Sequence, residues 1–307
     1  MTQSAVHAVG MLAGDTAVRW LLDPCAVHLN HGSFGAVPAA ALQEQARYRQ
    51  LMETDPVRWF SSLPPRIGAA RVDMAGLLGV DPAHLAFVLN ASAGAATVFD
   101  ALATRGPVDV LVTNHGYGAV TMGAQRLARR SGGRSRVLDI PLAATASEVL
   151  ELVTDALRRA RPGLLVIDHI TSPTARLFPV DEICRAARDL DVLTLVDGAH
   201  APGMLADPVC READYWVGNL HKFACAPRGA AVLVARGDGR ELDPVIDSWG
   251  APLAFPDRFD YLGTLDTTAW LVAPYAWRHI DGAVGWERVR QRTTALLDEG
   301  VAVVAAA

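Results

Sequence analysis

Two apolar runs in this chain end in residues with complementary chemistry. The stretch Ala213-Asp-Tyr-Trp-Val-Gly-Asn-Leu-His-Lys222 closes in polar residues and one lysine, and Leu193-Thr-Leu-Val-Asp197-Gly-Ala-His200 closes in an acid and a histidine. A lysine at the end of a buried strand can form an imine with an aldehyde. An aspartate on a neighbouring strand can hold a pyridine nitrogen protonated. Together they suit pyridoxal 5′-phosphate (PLP). Lys222 alone would read as a solvated loop lysine, so the pair of strand ends carries the inference.

Ligands of open α/β sheets bind beyond the carboxyl ends of the strands. In this chain those ends read Asn90-Ala-Ser-Ala-Gly94, Asn114-His115-Gly-Tyr117, His169-Ile-Thr-Ser172, Asp197-Gly-Ala-His200 and Asn219-Leu-His221-Lys222. The first is a small-residue turn into a helix, a place where backbone N–H groups hold a phosphate and also a common tight turn. His169 can line a site or satisfy backbone groups, and Tyr117 can present a hydroxyl or pack. Cys225 fits a small packing residue. Arg58 and Arg228 fit either a substrate carboxylate or a structural ion pair. No carboxylate–histidine spacing matches a metal-ligand helix, so no metal is expected.

The elements that must position these residues alternate from about residue 64. Strand candidates are 85–89, 108–112, 136–140, 164–167, 192–196, 213–217 and 230–234, near-continuous apolar runs suited to strands buried on both faces. Helical patterns fill 66–78, 94–103, 117–130, 146–161 and 180–189, and return at 267–280 and 286–298 after a loop rich in Asp, Pro and Gly. Alternation of this kind predicts an α/β fold, a three-layer αβα arrangement on a mainly parallel, doubly wound sheet. The final Val301-Ala-Val-Val-Ala-Ala-Ala307 looks like the opening of a further strand or helix.

With 307 residues, 51% hydrophobic and 20% charged, the chain can bury a large core. A net charge of -5 gives no footprint for nucleic acid or an anionic membrane. No apolar run approaches the roughly 20 residues of a membrane span, and the first twenty residues lack a secretory pattern. Cys25, Cys184, Cys210 and Cys225 show no CxxC spacing, which fits reduced thiols in a cytoplasm.

Ordered pieces of this sequence resemble the class V aminotransferases, a family of fold-type I PLP enzymes, and most of all its isopenicillin N epimerase-like branch. They are Leu29-Asn-His-Gly-Ser-Phe-Gly35, Asp55-Pro-Val-Arg-Trp-Phe60, Asn90–Gly94, Asn114-His-Gly-Tyr-Gly-Ala119, Asp168-His-Ile-Thr-Ser172, Val196–His200, Gly218-Asn-Leu-His-Lys222 and Gly263-Thr-Leu-Asp266. The resemblance implies that Lys222 is the Schiff-base lysine and proton carrier, with Asp197 on the pyridinium nitrogen. It implies that Ser92, Ala93, Gly94, Asn219 and His221 surround the phosphate. His115 takes the ring-stacking position, Tyr117 an active-site position beside it, Ser172 the place near the phenolic oxygen, and His200 lines the pocket. Gly263 and Thr264 match a segment that reaches the phosphate of the other subunit, implying a homodimer with its site at the interface.

By the same resemblance the chain divides into an N-terminal segment (1–35), a PLP-binding large domain (36–280) and the start of a C-terminal small domain (281–307), which looks truncated. The expected reaction is at the α-carbon of an amino-acid-type substrate, with epimerase or racemase chemistry first. C–S lyase or aminotransferase chemistry is the alternative, and a catalytically incomplete PLP-binding protein a further one. Cysteine desulfurases of this fold use a cysteine on a late loop; none follows Cys225, which disfavours that route.

Overall fold

The computed structural model describes residues 18–237, 239 and 241–306; residues 1–17 of the N-terminal segment fall outside them. Among the described residues, seven strands form one sheet: β1 (Leu85–Val88), β2 (Val110–Thr113), β3 (Ser135–Leu138), β4 (Leu164–Asp168), β5 (Leu193–Asp197), β6 (Tyr215–Asn219) and β7 (Ala231–Ala235). Their order is β1-β7-β6-β5-β4-β2-β3. Strands β2 to β6 pair in parallel, and β7 runs antiparallel to both β6 and β1. Each strand falls on one of the apolar runs of the sequence.

The alternation of side chains along the strands builds the layers. Leu85, Phe87, Leu165, Ile167, Val196 and Trp216 face one core, shared with helices α3 (Leu63–Leu78), α6 (Ala146–Ala160), α7 (Val180–Arg188) and α8 (Thr268–Ala283). Ala86, Val88, Val166, Leu195 and Val217 face the other, shared with α4 (Ala91–Ala103) and α5 (Gly118–Ser131). The fold is therefore the expected three-layer α/β arrangement. Phe87 stacks on Trp270 of α8 at 5.7 Å between ring centroids, fixing α8 on the sheet.

Two features differ from the sequence pattern. Two helices precede residue 63, α1 (Ala39–Thr54) and α2 (Pro56–Ser61). The α1 sequence is largely polar, and the helix is held from a distance: Gln45 Nε2 donates to Thr268 Oγ1 of α8 at 3.2 Å. Asp55 caps α2, its Oδ1 accepting from the Arg58 N–H at 3.0 Å. Strand β3 lies at the sheet edge with most of its residues exposed, so it is not buried on both faces. In the closing run, residues 301–305 continue the helix α9 (Trp286–Ala305), the helical one of the two expected outcomes.

The crossovers place the chemistry. From β2 the chain moves outward to β3 and then returns to β4 on the other side of β2, so β2 and β4 flank a topological switch point, where α/β sheets open a crevice at their carboxyl ends. Asp168 and Asp197 end β4 and β5, and Asn219 ends β6.

Candidate active site

Lys222 follows β6 by three residues and is half-buried. Its Nζ lies 2.9 Å from His200 Nε2. His200 also approaches two backbone carbonyls, those of Gly32 and Ile170. Nε2 is thus shared between the Lys222 amine and the Gly32 carbonyl, and the tautomer of the ring sets which of the two it bonds. Burial lowers the Lys222 pKa, and the charges of Asp197 and Asp168 only partly restore it. Burial, and then the charge of Lys222, lowers that of His200. Lysine and histidine thus form a short amine–imidazole pair with a weakened hold on protons.

The ring of Tyr117, at the N-cap of α5, stands 5.9 Å from Lys222 Nζ and remains exposed on its other side. His115 behaves differently from the expectation that it stacks on a ring. It is 4% exposed, and both ring nitrogens are engaged away from Lys222, Nδ1 with Thr174 Oγ1 at 2.8 Å and Nε2 with the Ile140 carbonyl at 2.9 Å. Phe178 packs edge-on against it. The aromatic face open toward Lys222 is that of Tyr117.

Asp197 is buried. Its Oδ1 accepts from the Ala199 N–H at 3.0 Å, while Oδ2 is buried with no hydrogen-bond partner among the described residues. An orphaned carboxylate oxygen is costly unless a ligand supplies the donor. Burial raises its pKa. Beside it in register is Asp168, equally buried, which the sequence reading had not placed in the site. The signal was present: Leu164-Leu-Val-Ile-Asp168 is an apolar strand ending in an acid, as Leu193–Asp197 is.

The start of α4 provides an account of its N–H groups. Ala91 N–H donates to Asn219 Oδ1 at 2.9 Å, which ties the helix to the end of β6. Ala93 N–H donates to the capping Asn90 Oδ1, and Gly94 N–H to the Asn90 carbonyl. Among the described residues, the N–H and hydroxyl of Ser92 have no partner in this turn. Ala93 and Gly94 therefore do not match the phosphate-binding expectation. Gly94 serves packing: a Cβ there would lie 2.8 Å from Val217 Cγ1 of β6. His221 Nδ1 bonds the Ala230 carbonyl at 2.8 Å, which leaves Nε2 free.

The other expected residues are less closely engaged. Ser172 gives its N–H to Asp168 Oδ2 at 3.4 Å, and its hydroxyl has no partner among the described residues. Thr264 sits on an exposed loop without a hydrogen bond among them. Arg58 is exposed on α2, whereas Arg228 donates to the Gly35 carbonyl at 3.4 Å and its charge reaches His221. Burial pushes the Cys225 thiol up to about 12, which removes it as a nucleophile. His169 is buried, with its Nδ1 unpartnered.

Comparison with known proteins places the chain in a family. Residues 38–248 match the family model described as aminotransferase class-V. Isopenicillin N epimerase of Streptomyces clavuligerus is 32% identical over 275 residues, spanning 83% of this chain and 69% of the relative. That of Amycolatopsis lactamdurans is 34% identical over 295 residues, spanning 88% and 73%. Putative L-cysteine desulfhydrase 1 of Oryza sativa subsp. japonica is 32% identical over 274 residues, covering 80% of this chain and 55% of the relative. The cystine C–S lyase C-DES, solved with cysteine persulfide, superposes with a TM-score of 0.74 at 21% identity, over 86% of this chain and 74% of its own.

The chain belongs to the class V aminotransferase family of fold-type I enzymes, whose cofactor is pyridoxal 5′-phosphate. The residues present suit that group. Asp197 Oδ2 lacks a donor, Ser92 offers unused donors at a helix N-terminus, and Lys222 carries an amine of lowered pKa. Among the described residues no helix is long and apolar enough to cross a membrane.

Proposed function

We propose that this protein removes and returns the α-proton of an amino-acid-type substrate, with epimerase chemistry as its reaction. The carrying observation is the Lys222–His200 pair, 2.9 Å apart and depressed in basicity by burial. An amine so held gives up its proton more readily than an ordinary lysine, which suits a base. When bound, PLP supplies an electron sink that stabilises negative charge at the substrate's α-carbon.

The protein's own contributions follow from its residues. Lys222 Nζ holds the cofactor and takes the proton, and His200 Nε2 accepts a hydrogen bond from it, orienting the amine. Asp197 Oδ2 keeps the ring nitrogen protonated from a dry site, where its charge is strongly felt. Ser92 donates to the phosphate from the first turn of α4. The Tyr117 ring covers the ring plane, the role expected of His115 in the sequence. Arg228, held by the Gly35 carbonyl, is the first arginine to consider for a substrate carboxylate. The site completes itself in a homodimer, with Thr264 reaching the partner's phosphate, and works in the cytoplasm.

A second reading, C–S bond cleavage, draws on the L-cysteine desulfhydrase relative and uses the same proton removal. Incubation in D2O with isopenicillin N or L-cysteine separates them. Epimerase activity gives deuterated, stereochemically mixed substrate, while lyase activity releases sulfide. Absence of both deuterium incorporation and sulfide release with either substrate refutes the proton-transfer role. Borohydride reduction followed by peptide mapping locates the cofactor; a pyridoxyl group on any other lysine overturns the assignment of Lys222.

A further inference from the structure

Asp168 has no part in the function above, yet it is built into the same floor. In the parallel register of β4 and β5 it stands opposite Asp197. In-register residues on neighbouring strands lie about 4.8 Å apart and project from the same face. That face is shared with Val166 and Leu195, which pack toward α4 and α5. Asp168 is 3% exposed and Asp197 2%. No ion pair joins either acid to a cation within 4.0 Å among the described residues, and two buried like charges at this spacing cannot both ionise cheaply.

We propose that Asp168 and Asp197 form a carboxyl–carboxylate pair holding one proton, with Asp168 as the protonated member, so that a single negative charge faces the cofactor's ring nitrogen. Asp168 acts as a positioning residue through Asp197. Two of the groups facing it oppose that proton: the backbone N–H groups of Ser172 and Tyr117, from the loop after β4 and the N-cap of α5, bond its carboxyl and favour the charged form. From the turn after β6, Lys222 adds only a weaker opposing charge, and that lysine is already engaged with His200. Burial first, and the Asp197 charge second, push Asp168 up to about 8. Asp197 is left with one oxygen on the Ala199 N–H and the other free for the ring nitrogen.

The consequence is a site whose electron sink faces one charge while Asp168 keeps its proton and two once it gives that proton up. A second charge would strengthen the hold on the pyridinium proton, so the bound cofactor's spectrum would report the change. The first step of the proposal concerns the apo protein alone; the second rests on the PLP reading.

The test uses the full chain carrying 13C at its aspartate carboxyl carbons. In the apo wild type, one carboxyl resonance should titrate with a midpoint near 8 instead of the ordinary value of about 3.9. That resonance should be absent from Asp168→Asn, which imitates the protonated acid in shape and charge. With PLP bound, wild-type absorbance should show a step in the same pH range. Asp168→Asn should retain cofactor affinity within about threefold and lose the step, whereas a purely structural role would leave the step in place. Full ionisation of every aspartate at pH 6.5 in the apo protein overturns the pair, as does a step that persists unchanged in Asp168→Asn. A protein that shows the apo titration but fails to bind PLP would support the pair and overturn the cofactor reading.

Discussion

Gly35 lies directly on the backbone of Lys222: a Cβ at Gly35 would fall 2.2 Å from the Lys222 carbonyl oxygen and 2.6 Å from that of His221. The segment carrying Asn30 to Gly35 is thereby seated on the turn that presents the lysine. Gly32 approaches the same turn, its carbonyl 3.2 Å from His200 Nε2. Residues 30–35 form a wall of the site.

Gly35→Ala should therefore act on the lysine turn itself. The added methyl meets backbone, which cannot rotate away, and overpacking of this kind costs about 1–3 kcal/mol. Thermal unfolding should show that loss, and PLP attachment at Lys222 should slow. Ala36→Gly, one residue on, is the control. Unchanged stability and attachment rate in Gly35→Ala would show that the segment lifts off freely.

Tyr117 and His115 should separate cleanly in mutagenesis. Tyr117→Ala removes an aromatic face worth about 0.5–1.5 kcal/mol, and PLP affinity measured by equilibrium titration should fall up to about tenfold. His115→Ala removes two hydrogen bonds, one from the Ile140 carbonyl, which keeps Asn114 Nδ2, and one from the Thr174 hydroxyl, which keeps Thr171 Oγ1. It should cost about 1–3 kcal/mol of stability with little change in affinity. The reverse pattern, affinity lost in His115→Ala alone, would return the stacking role to His115.

The contrast between these two residues shows what the sequence conveys. The ends at Asp197 and Asn219 were legible because β5 and β6 are largely apolar and stop abruptly there. A chemically distinctive residue at such an end must face the crevice or lose its hydration. Side-chain direction one or two residues beyond a strand is not encoded locally. His115 is turned by Ile140 and Thr174, which lie 25 and 59 residues away in sequence. Helix α1 escaped notice for the same reason, since its polar surface is anchored by Thr268, 223 residues from Gln45. Asp168 matters only because the register sets it beside Asp197, and register cannot be read from one strand at a time.

The lowered pKa of Lys222 has a definite sign in kinetics. Only the neutral amine attacks an aldehyde, so the rate of PLP attachment should rise with pH and level off at a midpoint below the ordinary lysine value of about 10.4. The Asp197 charge favours the ammonium form, so Asp197→Asn should move that midpoint lower still. Stopped-flow absorbance across the pH range measures both. A wild-type midpoint at or above the ordinary value contradicts the burial of this amine, and an upward shift in Asp197→Asn contradicts their proximity.

Ser92 permits a test in which stability and binding move in opposite directions. It occupies the second position of α4, where a negative side chain favours the helix dipole by about 0.3–1 kcal/mol. Ser92→Asp should thus leave the apo protein as stable as the wild type or slightly more so. The same charge would face the cofactor's phosphate, and at about 4 Å with an effective dielectric of about 20 two unit charges repel by about 4 kcal/mol. PLP affinity should fall by roughly 100-fold or more, while pyridoxal, which lacks the phosphate, should bind with little change. Equal losses for PLP and pyridoxal would mean that Ser92 contacts something other than the phosphate. An unaltered PLP affinity would place the phosphate away from the α4 N-terminus.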